Sequence, residues 1–563
     1  MPMFLPKSFL FTVIAAMLLT VNTFGQLFDE KNTYTHADTL RGTITPERAW
    51  WDVTHYDLDL KFDLEKKSVS GVNTMAFHVI EAGDKMQIDL MKPMEITAIT
   101  FEGKKVPFKQ DGNVYILHFK TPFEAGTDAV IEMEFNGAPP VAKNPPWDGG
   151  FIFKTDANGK PWVSVACQGL GASVWYPNKD QQADEPDSAR MHITIPKDLV
   201  GISNGKFESR NLNEDGTVTY TWRVVNPINN YNFVFYIGDY VRYNEIYKGE
   251  KGPLDIDLWF LSYDMDKAKS HVLLDVQRML EAFEYWFGPY PFYEDGYKMV
   301  EAPHLGMEHQ SAIAYGNNFK NGYLGYDLSG SDAGMKWDYI VVHESGHEWF
   351  ANNITTKDIA DMWVHEGITS YSEVLFTEYF YGKKDANAYM QGLMKGIENK
   401  QPVIGDYGVN SEGSGDMYPK GAALMHTIRQ VMDNDEKFRN MLRSMNADFY
   451  HKTVTSTEIE NYISKWMGRD LSKVFDQYLR TIQVPELEFN TIETSKGDLL
   501  IYKWNNVVPG FDMPVKVFVK NAPVWLVPSI VPKKLPIPDL NAVDNNHFAD
   551  PNFYITVKKS DLR

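Results

Sequence analysis

His343-Glu344-Ser345-Gly346-His347, with Glu366 downstream, has the residue types and spacing to do chemistry. Positions four apart on a helix share a face, so the His343 and His347 imidazoles would stand one turn apart on the same side. Two neutral imidazoles and a carboxylate make a three-ligand set for one catalytic zinc ion, with the fourth position left to water. Glu344, next to the first histidine, is placed to take a proton from that water. Glu366 follows His347 after eighteen intervening residues, a gap that suits the antiparallel return of a following helix across the metal. His365 is its neighbour, but adjacent helix positions point about 100° apart, so the two are not expected to share the ion.

These side chains need elements to hold them. Residues 337–352 and 363–381 have helical apolar spacing, and Gly382 stops the second. Residues 266–287, closed by Gly288-Pro289, and residues 420–432 and 457–467 add further helices. A mostly helical domain is therefore expected over 245–485. Upstream, residues 26–244 are expected to form a β-rich domain of sandwich type. The stretch 56–63 alternates cleanly, while 114–119 and 231–236 are rich in strand formers. Downstream, 486–563 reads as a small β domain with strands at 499–502 and 515–519. Its prolines Pro523, Pro528, Pro532, Pro536 and Pro538 suit edges and loops. The expected fold class is thus multidomain α+β, which agrees with a length of 563 residues, too long for one core.

Composition narrows the functional classes. With 43% hydrophobic and 23% charged residues the chain is of the ordinary soluble globular kind. A formal net charge of −20 argues against nucleic acid as a partner, and none is expected. Residues 1–25 read as a signal peptide: Lys7 supplies the positive charge, 9–21 are apolar, and Thr23-Phe24-Gly25 offers a cleavage point. Export to the periplasm or the medium is expected, with no stable membrane anchor after cleavage; an uncleaved anchor is the alternative. Cys167, the single cysteine, rules out an intramolecular disulfide and reads as a small buried apolar residue.

The zinc motif, its eighteen-residue gap and Trp363-Val364-His365-Glu366-Gly367 resemble the gluzincin aminopeptidases of the aminopeptidase N and leukotriene hydrolase type, peptidase family M1, as an exported bacterial member. Further matches fall in family order. Gly306-Met307-Glu308 is similar to the Gly-x-Met-Glu-Asn strand that binds substrate, with Leu305 at its first position and His309 at its last. Tyr418-Pro419-Lys420-Gly421 is similar to the Tyr-x-Lys-Gly motif of the catalytic tyrosine, and Gln168 to the glutamine that helps hold the substrate amine. His365 replaces the usual Asn before the third ligand.

The resemblance implies a thermolysin-like catalytic domain holding one Zn2+ through His343, His347 and Glu366, with Glu344 as general base and Tyr418 stabilising the oxyanion. It implies peptide substrates with a free N-terminal amine, bound by Gln168, Gly306, Met307 and Glu308. The chain ends about 145 residues after Tyr418 in strand-like sequence, so the large helical C-terminal domain of many relatives is expected to be absent. A packing role for Tyr418, and either an orienting or a purely structural role for Glu373, are the alternatives for those residues. A zinc hydrolase acting on an epoxide, a zinc-bearing peptide-binding protein without turnover, and an endopeptidase are the competing functions.

Overall fold

Alternate burial of Val53, Leu58, Leu60 and Phe62 makes Trp51–Asp63 the middle of a large sheet. The computed structural model describes residues 33–544 and 547–562, and the expected signal at 1–25 lies outside them. Eight strands run in the order Lys206–Leu212, Thr217–Val224, Ser188–Pro196, Trp51–Asp63, Ser68–Val79, Asp128–Gly137, Glu95–Phe101, Lys104–Lys105. Trp51–Asp63 and Ser188–Pro196 are parallel, with Tyr56 opposite Ala189, and the other pairs are antiparallel. A four-stranded sheet shares the same apolar core; Phe62 and Phe235 meet across it with ring centroids 4.5 Å apart.

The first part of one expected strand is a turn instead. Residues 230–232 form a 3-10 turn before the strand Phe235–Gly238. Asn229 accepts from the Tyr231 N–H, and buried Asn230 donates to the Lys179 carbonyl. These local side-chain bonds outcompete a strand ladder, whose propensity the sequence suggested.

A short helix α1 (His36–Gly42), capped by Thr35, precedes the sheets. Four longer helices shape the catalytic region: α2 (Leu273–Phe287), α3 (Tyr339–Gly346), α4 (Trp363–Tyr381) and α5 (Pro419–Met432). Beside them lies a five-stranded mixed sheet with Gly306–Met307 at its edge. Its long hairpin Tyr240–Gly249/Gly252–Leu261 crosses the boundary expected near 245.

Asp338 caps α3, accepting from the N–H groups of Ile340 and Val341. The α-helix expected over 337–352 is shorter. It ends at Gly346 and gives way to a π turn, with Phe350 at φ −130° and Ala351 at φ 141°. Glu348 pins this turn from inside the core, accepting from the Ser311 N–H at 2.9 Å and the Tyr290 hydroxyl at 2.9 Å. Such tertiary bonds have no signature in helical periodicity.

The C-terminal strands form a four-stranded sheet and a two-stranded ribbon. Pro536 lies on the edge strand of the sheet and Pro523 in the ribbon, where missing N–H groups cost no central ladder bond. Leu487, Phe489, Trp504 and Phe553 merge with the helices into one continuous core.

Helices α4 and α5 cross at glycines. A Cβ on Gly421 would lie 2.7 Å from the Gly367 Cα, and one on Gly367 would lie 2.8 Å from the Gly421 Cα. Both glycines sit one turn or less from site residues Glu366 and Tyr418, so this close approach sets their separation. Gly421→Ala should lower the thermal midpoint through overpacking worth about 1–3 kcal/mol. Scanning calorimetry measures it; an unchanged midpoint would mean that the helices part freely.

Candidate metal centre and active site

The His343 and His347 Nε2 atoms lie 3.3 Å apart. Glu366 Oε2 approaches them to 3.8 Å and 3.3 Å respectively. Ligands about 2.0–2.1 Å from a tetrahedral zinc ion stand about 3.3 Å from one another. Glu366 Oε2 is buried and has no hydrogen-bond partner, which a cation shared with the two imidazoles would satisfy. The donor set therefore fits zinc.

Neighbours orient each ligand. His343 Nδ1 donates to Glu373 Oε1 at 2.6 Å, and the other Glu373 oxygen accepts from the Tyr389 hydroxyl at 2.6 Å. The Tyr339 ring stacks on His343 at 5.0 Å. His347 Nδ1 donates to the Phe350 carbonyl at 3.1 Å, a group turned toward it by the break after α3. Both imidazoles thus carry their proton on Nδ1 and present the Nε2 lone pair inward. Glu373, two turns beyond Glu366, acts on the metal ligand His343.

Glu344 is buried and accepts no hydrogen bond among the described residues. Burial pushes its carboxyl up to about 7, against the pull of His343 and His347. Gly306 makes room for it: a Cβ there would sit 2.7 Å from Glu344 Oε1 and 2.9 Å from Ile340. This explains the glycine at that position sterically. Gly306–Met307 pairs on one side only, with Ile313–Tyr315, and so forms the edge of its sheet.

Glu308 is buried at the end of that strand. Its Oε1 accepts from Gln168 Nε2 at 2.5 Å and from the Tyr231 hydroxyl at 3.0 Å. The same Gln168 nitrogen reaches Glu366 Oε1 at 3.1 Å. Burial and the nearby Glu366 charge raise the Glu308 carboxyl, offset in part by His347. The Gln168 amide supplies the N–H donors that a bound ammonium group would bring.

Tyr418 stands at the N-terminus of α5 with Pro419 in the first helical position. Its ring stacks at 24° on His343, centroids 6.1 Å apart. Burial, with Glu366 next, drives its phenol well above the usual range, so it stays a donor.

The remaining candidates separate cleanly. His365 accepts from the Thr356 N–H through Nε2 at 2.8 Å, away from the metal ligands. His309 Nδ1 meets the Tyr236 hydroxyl at 2.6 Å, and that hydroxyl donates to the Ala312 carbonyl. Cys167 is fully buried, and burial raises its thiol. Sequence reasoning did not single out Tyr231; it sat in a stretch read as a strand, where no motif marked it.

The description "Peptidase family M1 domain" matches residues 273–478, and "Peptidase M1 N-terminal domain" matches residues 53–231. Together they take in about two-thirds of the chain. The chain belongs to peptidase family M1. It is 22% identical to Probable aminopeptidase 2 of Sulfurisphaera tokodaii over 76% of this chain and 53% of that protein. It is 26% identical to Aminopeptidase N of Lactococcus lactis subsp. lactis, over 78% and 52% respectively. The chain thus spans about half the length of these curated relatives. An M1 zinc metallopeptidase from Deinococcus radiodurans, solved as a mutant bound to a Tyr-Ser-Ala substrate, shares the fold with a TM-score of 0.65 at 19% identity, covering 78% of this chain and 96% of the other.

Replacing Glu373 with Gln keeps the shape but removes the charged acceptor from His343. Zinc affinity should fall about 10–100-fold in competition against a chelator. An unchanged affinity would reduce Glu373 to a packing role.

Proposed function

We propose that this M1 chain is a zinc-dependent aminopeptidase that removes N-terminal residues from peptides. The observation that carries the reading is the buried Glu308 carboxylate beside the His343, His347 and Glu366 ligand set, bridged to Glu366 by Gln168. A buried carboxylate seeks a cation, and a peptide's free ammonium supplies one at the distance of its first carbonyl.

Zinc, when bound by His343, His347 and Glu366, supplies a Lewis acid that brings water deprotonation toward neutral pH. Glu344 takes the proton from the attacking water and returns it to the leaving amine. Its place beside the first metal ligand, inside the protein, suits both steps. The Tyr418 phenol donates to the carbonyl oxygen as negative charge develops there. Glu308, helped by Tyr231 and Gln168, holds the ammonium, and the open edge of Gly306–Met307 aligns the backbone. The apolar stretch at 9–21 after Lys7 supports export as part of the same proposal. Among the described residues, no helix is long and apolar enough to cross a membrane.

Acetylating the substrate amine would leave the buried Glu308 carboxylate with only its neutral donors, Gln168 and Tyr231, and no cation. The kcat/KM for an N-acetylated aminoacyl substrate should therefore fall about 100-fold or more below its free-amine parent. Equal cleavage of both forms would sink the amine anchor and favour an endopeptidase.

Glu344→Gln should keep its zinc, by metal analysis, and lose about 10²–10⁴-fold in kcat. Near-normal turnover would remove Glu344 as the base. Tyr418→Phe should depress kcat with little change in inhibitor affinity, because its bond strengthens only as charge develops. An unaffected kcat would return Tyr418 to packing.

A further inference from the structure

We propose that Glu412 is a specificity residue that selects N-terminal residues with a basic side chain, arginine or lysine. The inference rests on the aminopeptidase reading and deepens it. Glu412 Oε1 lies against Gly169, the residue after the amine-binding Gln168: a Cβ on Gly169 would be 2.6 Å from it. The side chain of a bound N-terminal residue leaves the same carbon as its ammonium, so this position is within reach of a long cationic side chain.

The loop holds Glu412 firmly. A Cβ on Gly413 would lie 1.5 Å from the Val403 carbonyl oxygen, and one on Gly405 would lie 2.6 Å from the Glu412 carbonyl carbon. The backbone is therefore clamped on both sides. The segment then runs through the turn Gly415–Met417 to Tyr418, which ties it to the reacting carbonyl.

Charge around this point is unbalanced. Glu412 is half-buried, and its carboxylate accepts no hydrogen bond among the described residues. Glu308 has Gln168 and Tyr231 as donors, and Glu366 shares the metal-ligand cluster. The guanidinium that attracts Glu412, Arg41 of α1, spends a donor on the Gly169 carbonyl at 2.7 Å and is attracted more strongly to Asp180. Arg48 is paired with Asp89 at 2.5 Å. Arg41 is shared among Asp180, Asp89 and Glu412, and among the described residues the Glu412 carboxylate has no ion pair of its own. Burial, then Glu366, push its carboxyl up to about 8, with Arg41 opposing and Glu308 adding to the rise. A guanidinium or ammonium entering the first subsite would return it to the ionised form. A neutral side chain would leave it unanswered, and an acidic one would be repelled.

The test uses the zinc-loaded full chain and free-amine aminoacyl-coumarin substrates carrying arginine, lysine, citrulline, alanine or leucine. Citrulline keeps the shape of arginine without its charge. Arginine and lysine should exceed citrulline in kcat/KM by about tenfold to a hundredfold, the range for a charge-assisted bond. Glu412→Gln should bring the arginine-to-citrulline ratio close to one. Cleavage of alanine, leucine or citrulline at the rate of arginine in the parent enzyme overturns the assignment and leaves the aminopeptidase reading standing. So does a ratio that survives Glu412→Gln. Failure to cleave any of the five overturns both.

Discussion

Three ligand atoms from two helices meet in the protein interior with no protein donor between them, and this unpaired convergence governs what surrounds it. Buried lone pairs and a buried carboxylate oxygen are costly unless a cation joins them. The fold must therefore hold His343, His347 and Glu366 at ion-binding separation before any ion arrives. Glu373 and the Phe350 carbonyl do so by fixing the imidazole tautomers. The break after α3 is part of the same arrangement, because a continuous helix would keep the Phe350 carbonyl along its own axis. The Gly367–Gly421 crossing brings the helix behind Tyr418 against the helix carrying Glu366.

The proposed substrate site is built across two domains. The strand edge at Gly306–Met307 and the Glu308 carboxylate come from the catalytic region, while Gln168 and Tyr231 come from the β-rich region. Glu308, Glu344, Glu366 and Glu412 all face this junction, making it a place of concentrated negative charge. Zinc at His343, His347 and Glu366 would offset part of that charge, and in the proposed function a peptide ammonium at Glu308 would offset more. α1 joins the junction from the N-terminal side: Arg41 donates to the Gly169 carbonyl, and Thr43, just after the helix, donates to the Gly408 carbonyl. The segment that begins the described chain thereby supports the loop presenting Glu412.

Legibility followed the range of the interactions. The helix Trp363–Tyr381 and the strand Val515–Val519 could be read to their ends, because periodicity and a terminating glycine or turn are local signals. Periodicity carries the helix after Asp338 too far, since its end depends on Glu348 bonding to Ser311 and Tyr290. Residues 231–236 carry aromatic and β-branched types that favour a strand, yet Asn229 and Asn230 turn the chain first and the strand starts only at Phe235. That misread turn is what delivers the Tyr231 hydroxyl to Glu308. His365 could be set aside from helix geometry alone, whereas its actual partner, the Thr356 N–H, could not be foreseen.

By itself the sequence determined the metal chemistry, because two imidazoles four residues apart on a helix share a face whatever the rest of the chain does. It also determined the layout of β-rich, helical and β-rich segments, because apolar periodicity is written residue by residue. Resemblance to a family named Gln168, Glu308 and Tyr418, but no spacing could join them: Gln168 and Glu308 are 140 positions apart, and Tyr231 is 77 from Glu308. Only tertiary structure decided that these groups share one buried junction. Side chains so far apart in sequence meet through the packing of whole sheets and helices, whose apolar surfaces can be buried together in few ways.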